Sequence, residues 1–568
     1  MRRRARTGEI TMAAIKLSSA ARQDFEAALG AAHVSDDAAI IAGYSWVTST
    51  GGAPSSRQLY DIRPTAVVLP SSTEEVQAVV RTCIEHGLKF RAHSTGTGSF
   101  NTVTQHGVVS VDLRRMNQIV ELDARNQMAV IEPYVTAAQL QAEAMKVGLT
   151  SHIIGAGWTH SPLASATSMG GIGISGNHTG FNVHNLLAWE WVTPEGEIVR
   201  AGSAACGAGW FAGEGPGPGF RGMIRGSAGA FGSLGIFTRI GYKLHPWAGP
   251  RVLEHRGQHP QVGIALSETM RLYQIVWDDW NGPTKAAYEF MISNAPTLVV
   301  RIPPDQYGWI LTPTNREFYD QFSTGTLPGI ARAENGISWT LLAVSESAAE
   351  AQWRDLTIRA IVDKTQGRLL DVEQVHAEVI ARNAVTACYV PRAYRTGARN
   401  VLTSIGMWDS FNQMPTMIDT VEKIMRPFKQ EHKTLAEGHP EEFWLWPNEG
   451  RQLWAENIVS CDNNDVVSAA DGYVYVLQTM EENERRPVGL TAMGIGQMLI
   501  DIYNKRFGVN KAMRTVKATF DPAGSSDGMF PHGKGQTGLG RIWPVMRVII
   551  ARVPMIMRLA MRAMLKSN

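Results

Sequence analysis

The chain has 568 residues, which is too long for one hydrophobic core, so we expect two or three domains. Its 54 basic and 52 acidic side chains nearly balance, which excludes a global positive field for binding nucleic acid. The four cysteines are widely spaced and contain no C-x-x-C pair, which argues against a disulfide scaffold or a thiolate metal site and fits a reducing compartment. We expect buried free thiols at Cys83, Cys206, Cys388 and Cys461.

The first residues are rich in arginine, but no apolar run follows them. A secretory signal needs such a run, so we interpret residues 1–20 as a disordered lead-in.

Alternating strand and helix patterns come next. An apolar run over 66–70 predicts a strand, and Ser72 and Glu75 have the spacing of a helix capping box. Apolar residues then recur at helical spacing until Gly87, and 88–91 reads as a second strand. Further along, 108–113 and 128–133 read as strands and 136–147 as a helix.

The loop after the second strand has the composition of a phosphate cradle. Small hydroxyl residues and two glycines let consecutive backbone N–H groups approach an anion such as a pyrophosphate. An ordinary Gly/Ser/Thr surface turn is the alternative. The candidate cofactor-binding residues here are Arg91, Ala92, His93, Ser94, Thr95, Gly96, Thr97 and Gly98.

A second glycine-rich stretch matches the dinucleotide fingerprint G-x-G-x-x-G at Gly171, Gly173 and Gly176. A Rossmann fingerprint must follow a strand and open a helix, whereas we expect a turn and then a strand after this one. The pattern therefore argues against a Rossmann site and an NAD-dependent dehydrogenase.

The order of these elements resembles a known family. Through Arg63–Pro64, the glycine-rich loop, "VVSVDLRRMN", "AVIEPYVTAAQLQ" and Gly148–Leu149, the chain is similar to the FAD-binding domain of the vanillyl-alcohol oxidase and p-cresol methylhydroxylase superfamily. The resemblance implies an α+β fold with a two-subdomain FAD-binding domain and an α+β substrate domain that contains an antiparallel sheet. It implies FAD as the cofactor.

Three later stretches resemble further flavin-contacting segments of that superfamily. The 168–180 stretch would lie against the cofactor, and His178 would polarise the flavin or substrate, unless neighbouring loop carbonyls simply satisfy it. Residues 220–238 resemble the segment whose backbone meets the FAD, and 507–535 the closing segment, a lysine-bearing strand followed by a Pro-Gly-Lys turn. The cofactor-binding residues that the resemblance implies are Ser168, Gly170, Gly171, Gly176, His178, Gly226, Ser227, Gly232, Ile236 and Lys534.

The resemblance and the composition together divide the chain. We expect the FAD-binding domain over 21–247, the substrate domain over 248–497, a C-terminal return to the FAD-binding domain over 498–540 and a basic tail over 541–568.

The substrate domain holds few distinctive candidates. Tyr389, Arg392 and Tyr394 cluster in sequence, and such side chains can stabilise a phenolate or carboxylate, although ordinary surface residues are an alternative. Metal-associated hydroxy-acid dehydrogenases of the superfamily carry a motif with two histidines. This chain has His439 but not the second histidine, so we predict no metal site. Thr95 replaces the histidine that bonds the flavin in berberine-bridge-type relatives, while attachment through the substrate domain stays open.

These observations predict an FAD-dependent oxidoreductase that passes hydride from an apolar or aromatic alcohol or phenol to flavin N5. The alternatives are a D-2-hydroxy-acid dehydrogenase of the same superfamily and a flavin-binding electron-transfer subunit. Oxygen, a quinone, a cytochrome or an electron-transfer flavoprotein stays open as the acceptor.

The C-terminal tail has a distinctive charge pattern. Residues 541–568 contain six cations and no acidic residue, set among apolar side chains. No uninterrupted apolar run of roughly twenty residues is present, so we expect an interfacial anchor on an anionic leaflet rather than a spanning helix. The alternative is a helix packed on its own protein or on a second subunit of a homo-oligomer. We accordingly expect a cytoplasmic protein, peripheral on the inner face of the cell membrane.

Overall fold

The structure is a computed structural model of the chain. It describes residues 16–44, 63–96, 103, 105–168, 171–215, 230, 232–258, 261–328, 336–388, 400–428, 444–461 and 509–528, together with single residues within 467–486 and 545–559.

The first unit is a small α/β layer built around parallel strands. Its four-stranded sheet has the order β1-β2-β4-β3, in which β1 is antiparallel to β2 and the other pairs are parallel. Helices α1 and α3 bury Phe25 and Val79 against the sheet. The elements are β1 (Val34–Ser35), β2 (Ala66–Val68), β3 (Lys89–His93), β4 (Val108–Asp112), α1 (Ser19–Leu29), α2 (Ala38–Gly43) and α3 (Thr73–Glu85).

Local signals explain the start of α3. The Ser72 hydroxyl accepts a hydrogen bond from the Glu75 backbone N–H at 3.2 Å, as the capping-box spacing predicts. The returning bond is displaced by one residue, because the Glu75 carboxylate accepts from the backbone of Ser71 rather than Ser72.

The second unit is a five-stranded antiparallel sheet with the order β5-β6-β10-β8-β9. Trp189, Trp191 and Tyr242 form much of its core, and α4 packs on it through Leu140 and Ala144. The elements are β5 (Ile119–Asp123), β6 (Met128–Ile131), α4 (Ala137–Lys146), β7 (Leu149–Thr150), α5 (Pro162–Ser168), α6 (Gly176–Thr179), β8 (Leu186–Val192), β9 (Ile198–Ala201), β10 (Ile236–Lys243) and β11 (His245–Pro246).

The third unit is a mixed helix and sheet domain. A four-stranded antiparallel sheet, β15-β16-β14-β17, carries helices on both faces. Its elements are β12 (His255–Arg256), β13 (Gly263–Ile264), β14 (Met270–Trp277), α7 (Asn281–Ser293), β15 (Leu298–Val300), α8 (Pro304–Leu311), α9 (Asn315–Thr324), β16 (Ile337–Val344), α10 (Ala348–Lys364), β17 (Arg368–Leu370) and α11 (Gln374–Thr386).

A three-stranded antiparallel sheet of order β18-β20-β19 continues this domain. It contains β18 (Asn400–Ser410), β19 (Trp444–Asn448) and β20 (Gln452–Cys461), with α12 (Met414–Arg426) beside it. A backbone bridge between Arg301 and Leu445 joins β19 to the end of β15. The three units together confirm the predicted α+β class and the antiparallel sheet of its second part. Following the domains expected from the sequence, we call the first two units the FAD half and the third unit, with its three-stranded sheet, the substrate half.

Two predictions about individual elements are wrong. The segment expected to be a lysine-bearing strand is a helix, α13 (Val509–Phe520), because its apolar residues recur at helical spacing and bury Met513 and Phe520 against the second unit. The thiol of Cys206 is exposed rather than buried, because it lies at the end of a surface 3-10 helix.

Candidate functional site

The predicted phosphate loop continues from the outer strand of the parallel sheet. β3 is the edge strand of that sheet, and residues 525–527 pair with it on its other side. The Phe90 N–H donates to the Ser525 carbonyl at 2.9 Å, and the Asp527 N–H donates to the Phe90 carbonyl at 2.8 Å. Arg91 is therefore buried at 3% exposure, whereas the following residues 92–96 are only partly buried.

Residues 92–96 are held from three directions. Ala92 packs on the core beneath the sheet, and the His93 ring makes an edge contact with Tyr44 at 4.9 Å between centroids. The Ser94 hydroxyl donates to the Pro133 carbonyl at 2.5 Å. Gly96 has a φ of 70°, a left-handed conformation that favours glycine.

This arrangement fits the anionic part of FAD. Lys89 places a cation on β3, the charge of the buried Arg91 is balanced by Asp527, and Gly96 lets the backbone take a conformation in which its N–H groups can face an anion. Thr97 and Gly98 lie outside the described residues, so their part in the loop stays a prediction.

The second glycine-rich stretch is shaped by close packing within the protein. A Cβ on Gly171 would meet the Ser165 hydroxyl at 2.3 Å, and one on Gly173 would meet the Ile153 carbonyl at 2.0 Å. A Cβ on Gly176 would meet the Asn448 side chain at 2.4 Å. These contacts give a reason for the glycines that needs no dinucleotide.

A turn and then a strand follow this stretch, as expected, and that strand is β8, which begins at Leu186. The one-turn helix α6 and a 3-10 turn (Asn182–Asn185) come first, and α5, not a strand, precedes the stretch. Ser168 is the last residue of α5, and Gly170 lies outside the described residues. The missing strand is what separates this pattern from a Rossmann fingerprint.

His178 lies on α6 and contacts the substrate half of the molecule. Its Nε2 lies 3.1 Å from the Pro296 carbonyl oxygen, and the neighbouring Asn177 amide donates to the Thr297 carbonyl at 3.2 Å. Burial lowers the pKa of His178 below its usual value. The geometry thus places His178 between the two halves, bonded to a loop carbonyl, which is the alternative that the sequence left open.

The third stretch borders the C-terminal segment. Gly232 has a φ of 71°, and its carbonyl accepts from the Ser526 hydroxyl at 2.6 Å. Ile236 begins β10 and is fully buried in the core of the parallel-sheet unit. Gly226, Ser227 and Lys534 lie outside the described residues.

One face of the three-stranded sheet is aromatic and contains a carboxyl group. Trp408, Trp454 and Trp446 lie opposite one another across the three strands, and Trp444 lies opposite Glu456. The rings of Trp444 and Trp446 stack with centroids 5.5 Å apart. We call this surface, defined by Trp408, Trp444, Trp446, Trp454 and Glu456, the aromatic face.

The aromatic face meets the FAD half at the second glycine-rich stretch. Its tryptophans share a hydrophobic core with Ile153 and Ile174, and the Trp446 ring lies 3.4 Å from the Cβ position of Gly155. The opposite face of the same sheet buries Leu453 and Ala455 in a separate core. The period-two alternation of a strand explains this division.

Polar groups on the aromatic face are few and buried. Within the described part of the chain, the indole N–H groups of Trp444 and Trp446 are buried without a hydrogen-bond partner. Glu456 is 5% exposed, and the Trp454 indole donates to it at 3.4 Å. Burial raises the pKa of Glu456 to about 7, and the bond from Trp454 opposes this.

Sequence reasoning missed Glu456. The alternation Trp454-Ala455-Glu456 shows that the carboxyl shares a face with a tryptophan, but the facing strands that bury it lie elsewhere in the chain.

Other predicted residues lie outside the described part. These are Tyr389, Arg392 and Tyr394 of the proposed catalytic set, and His439 of the metal-motif comparison. Among the described residues, no group of three or more metal-ligating side chains lies close enough to hold an ion.

Comparisons with known proteins agree with this geometry. Residues 64–202 match the family model of an FAD binding domain. An uncharacterized FAD-linked oxidoreductase of Mycobacterium tuberculosis is 29% identical over 191 residues, which cover 32% of this chain and 38% of that protein. D-2-hydroxyglutarate dehydrogenase of Stutzerimonas stutzeri is 40% identical over 87 residues, 15% of this chain and 19% of that protein. The matched region thus spans about two fifths or less of these relatives.

A solved structure covers much more of the fold. The crystal structure of p-cresol methylhydroxylase with substrate bound matches with a TM-score of 0.65 at 16% identity, covering 89% of this chain and 96% of that chain. Residues 64–202 are therefore an FAD-binding domain, and over 89% of its length the chain shares the fold of p-cresol methylhydroxylase.

Proposed function

We propose that this protein is an FAD-dependent oxidoreductase that oxidises an apolar or aromatic alcohol or phenol. The observation that carries the substrate class is the aromatic face, where stacked tryptophans, two indole N–H groups without a partner among the described residues and one buried carboxyl lie in a core that also includes Ile153 and Ile174 of the FAD half. Apolar walls with a few convergent polar groups are typical of small-molecule sites. FAD, when bound, would accept hydride at N5.

The chain's own groups divide the remaining work. The tryptophans exclude water and stack on an aromatic ring, and the indole N–H groups of Trp444 and Trp446 donate to a substrate oxygen. The Glu456 carboxylate accepts the hydroxyl proton, a task suited to a pKa near 7. Tyr389, Arg392 and Tyr394 are proposed to stabilise negative charge on that oxygen. His178 bonds the Pro296 carbonyl and so orients α6. Its role in polarising the flavin or the substrate is part of this proposal.

The residues that would hold FAD come from three segments of the FAD half: the end of β3 with the loop after it, the second glycine-rich stretch, and the turn that leads into β10. Residues 91–96 would face the pyrophosphate, and the backbone around Gly232 and Ile236 would lie near the adenine. Ser168, Gly171 and Gly176 would support the stretch beneath the ring system.

Anaerobic flavin reduction tests the proposal. The purified protein should be bleached by aromatic alcohols or phenols, and the rate should rise with pH up to about 7 as Glu456 ionises. Glu456→Gln should lower the rate by about 10²–10⁴-fold, the usual contribution of a general base, and remove the rise. Glu378→Gln is the matched control, because Glu378 is a buried carboxyl on α11 that pairs with Arg256. Identical pH profiles for the Glu456 variant and the wild type would contradict the role of this carboxyl.

The second candidate substrate class is a D-2-hydroxy acid. The match to D-2-hydroxyglutarate dehydrogenase favours it. Bleaching by D-lactate or D-2-hydroxyglutarate, stimulated by zinc or manganese and lost in His439→Ala, would select this class instead.

The electron acceptor and cellular location are also proposals. We propose a quinone, a cytochrome, an electron-transfer flavoprotein or oxygen as acceptor. We place the protein on the cytoplasmic side, with the basic tail as a peripheral membrane contact or as a homo-oligomer interface.

A further inference from the structure

The C-terminal segment of residues 521–528 lies between two of the predicted FAD-contacting stretches. It follows α13 and pairs with β3 on one side, where Phe90 bonds Ser525 and Asp527. On its other side Ser526 bonds the turn that starts at Gly232, through its hydroxyl to the Gly232 carbonyl and from the Gly235 N–H at 3.1 Å. Residues more than 300 positions beyond the matched FAD-binding domain thus complete its edge.

Asp527 lies at the centre of this contact and is 1% exposed. Its Oδ2 lies 3.5 Å from Nη1 of the buried Arg91, which also donates to the Asp527 carbonyl at 3.3 Å. Its Oδ1 accepts from the Gln105 amide at 2.9 Å. One carboxylate therefore holds Arg91, in the middle of β3, and Gln105, where the chain returns toward β4.

The charges around Asp527 make the link specific. Burial lowers the pKa of Arg91, and the Asp527 charge opposes this shift. Removing the Asp527 carboxylate would take that counter-charge from a buried guanidinium, so Arg91 and the part of β3 around it should shift.

Lys517 fixes the segment that carries Asp527. Its Nζ donates to the carbonyls of Ser233 and Ser526, each at 2.7 Å, and pairs with Asp521 at 2.5 Å. The Asp521 carboxylate in turn accepts from the backbone N–H groups of Ser525 and Ser526. The charges of two buried cations and two buried anions therefore balance beside β3. These groups are Arg91, Lys517, Asp521 and Asp527.

We infer that Asp527 is a positioning residue for FAD, holding residues 91–96 in the conformation that receives the pyrophosphate by anchoring Arg91 and Gln105 together. The inference rests on the proposed role of residues 91–96 in FAD binding. Asp527 itself acts through Arg91 and Gln105 rather than on the cofactor.

Flavin release from the native holoprotein tests the inference. Asp527→Asn should raise the dissociation constant for FAD about tenfold or more, since a hydrogen bond to a charged group is lost. Hydrogen exchange of the peptide that contains 91–96 should accelerate. Gln105→Ala removes one arm of the link without stranding the arginine, so it should fold and still weaken FAD binding to a smaller degree.

A buried carboxyl elsewhere in the same half is the matched control. Glu190 pairs with Arg200 on β9 at 2.8 Å and accepts from Thr73 on α3 at 2.7 Å, so these two partners lie outside β3 and outside 521–528. Glu190→Gln should reduce thermal stability but leave the FAD dissociation constant unchanged. If Asp527→Asn and Glu190→Gln weaken FAD binding equally, the effect is general destabilisation and the inference is wrong.

Gly96→Val separates this inference from the assumption beneath it. A β-branched residue cannot easily take a positive φ, so this variant should fold but lose flavin. Normal FAD content in Gly96→Val would overturn the role of residues 91–96 and the inference with it. Flavin loss in Gly96→Val, with wild-type affinity in both Asp527→Asn and Gln105→Ala, would overturn the inference alone.

Discussion

Glu456 and Glu190 show how the surroundings set the behaviour of a buried carboxyl group. Burial among tryptophans raises the pKa of Glu456 to about 7. Burial also disfavours the charge on Glu190, but hydrogen bonds from Thr73 and Arg200 outweigh it and lower that pKa. One carboxyl is thus prepared to exchange a proton near neutral pH, whereas the other is fixed in an ion pair.

The difference predicts opposite pH dependences of stability. The pKa of Glu456 is higher in the folded state than its ordinary 4.5, so its contribution to stability is full below about pH 4.5, is lost as pH rises from there through about 7, and changes no further above that. Glu456→Gln should therefore raise the free energy of unfolding by on the order of 3 kcal/mol at pH 8, and by less at pH 5.

Urea unfolding at the two pH values measures this effect. Glu190→Gln provides the contrast. A carboxyl whose pKa is lowered by folding stabilises the protein at any pH above its pKa in the unfolded chain, so this variant should lose stability at pH 8. If the free energies of unfolding of Glu456→Gln and wild type differ by the same amount at pH 5 and pH 8, burial does not hold Glu456 protonated.

Secondary-structure elements with strong local signals could be predicted from the sequence. The helix α4 begins at Thr136 with the capping box that Thr136 and Gln139 form, and α3 begins at Ser72. The strand β6 follows an uninterrupted apolar run and β4 a run interrupted by Ser110, and every residue of both strands is buried, as expected for strands covered on both faces.

Pairings between distant segments could not be predicted in the same way. Nothing local shows that residues 525–527 pair with β3, because Phe90 lies far along the chain from them and Lys517 bonds the equally distant Ser233 carbonyl. Glu456 likewise joins the aromatic face only when β18 and β19 pair with β20. The cofactor could be predicted from the family resemblance, whereas the residues proposed to position it could be identified only from the fold.

The lysine of α13 provides a test at the level of this element. Lys517→Met would leave Asp521 buried without its cation and remove two bonds to backbone carbonyls, which should cost about 3–5 kcal/mol of stability. The exposed Lys511 on the same helix is the control, since Lys511→Met should change stability by less than about 0.5 kcal/mol. Chemical denaturation of both variants, compared with wild type, measures the difference. Equal effects would mean that α13 does not depend on its buried lysine.

Across the whole molecule, the two halves meet where glycines allow close contact. The Gly176 carbonyl accepts from the Glu449 N–H at 3.2 Å, His184 pairs with Glu449, and Asn177 and His178 bond the loop before β15. The aromatic face therefore has a fixed position relative to the FAD half. The described residues contain no helix long and apolar enough to cross a bilayer.

The basic tail carries a prediction about the location of the molecule. Of residues 541–568 the structure describes only Val545, Met555 and Leu559, and all three side chains are exposed. Deleting 541–568 should release the protein from anionic liposomes at low salt while flavin stays bound. Neutral liposomes are the control. If the full-length protein ignores anionic liposomes, the tail is better explained as an interface between subunits, which sedimentation of the two forms would show.

The central claim is that bound flavin receives electrons from an apolar or aromatic hydroxyl compound. The most direct measurement is the visible spectrum of the purified protein before and after anaerobic addition of a panel of aromatic alcohols, phenols and D-2-hydroxy acids. The account predicts flavin bands that bleach with members of the aromatic set and recover when an acceptor is added. A colourless protein, or flavin bands that bleach only with hydroxy acids, would contradict it.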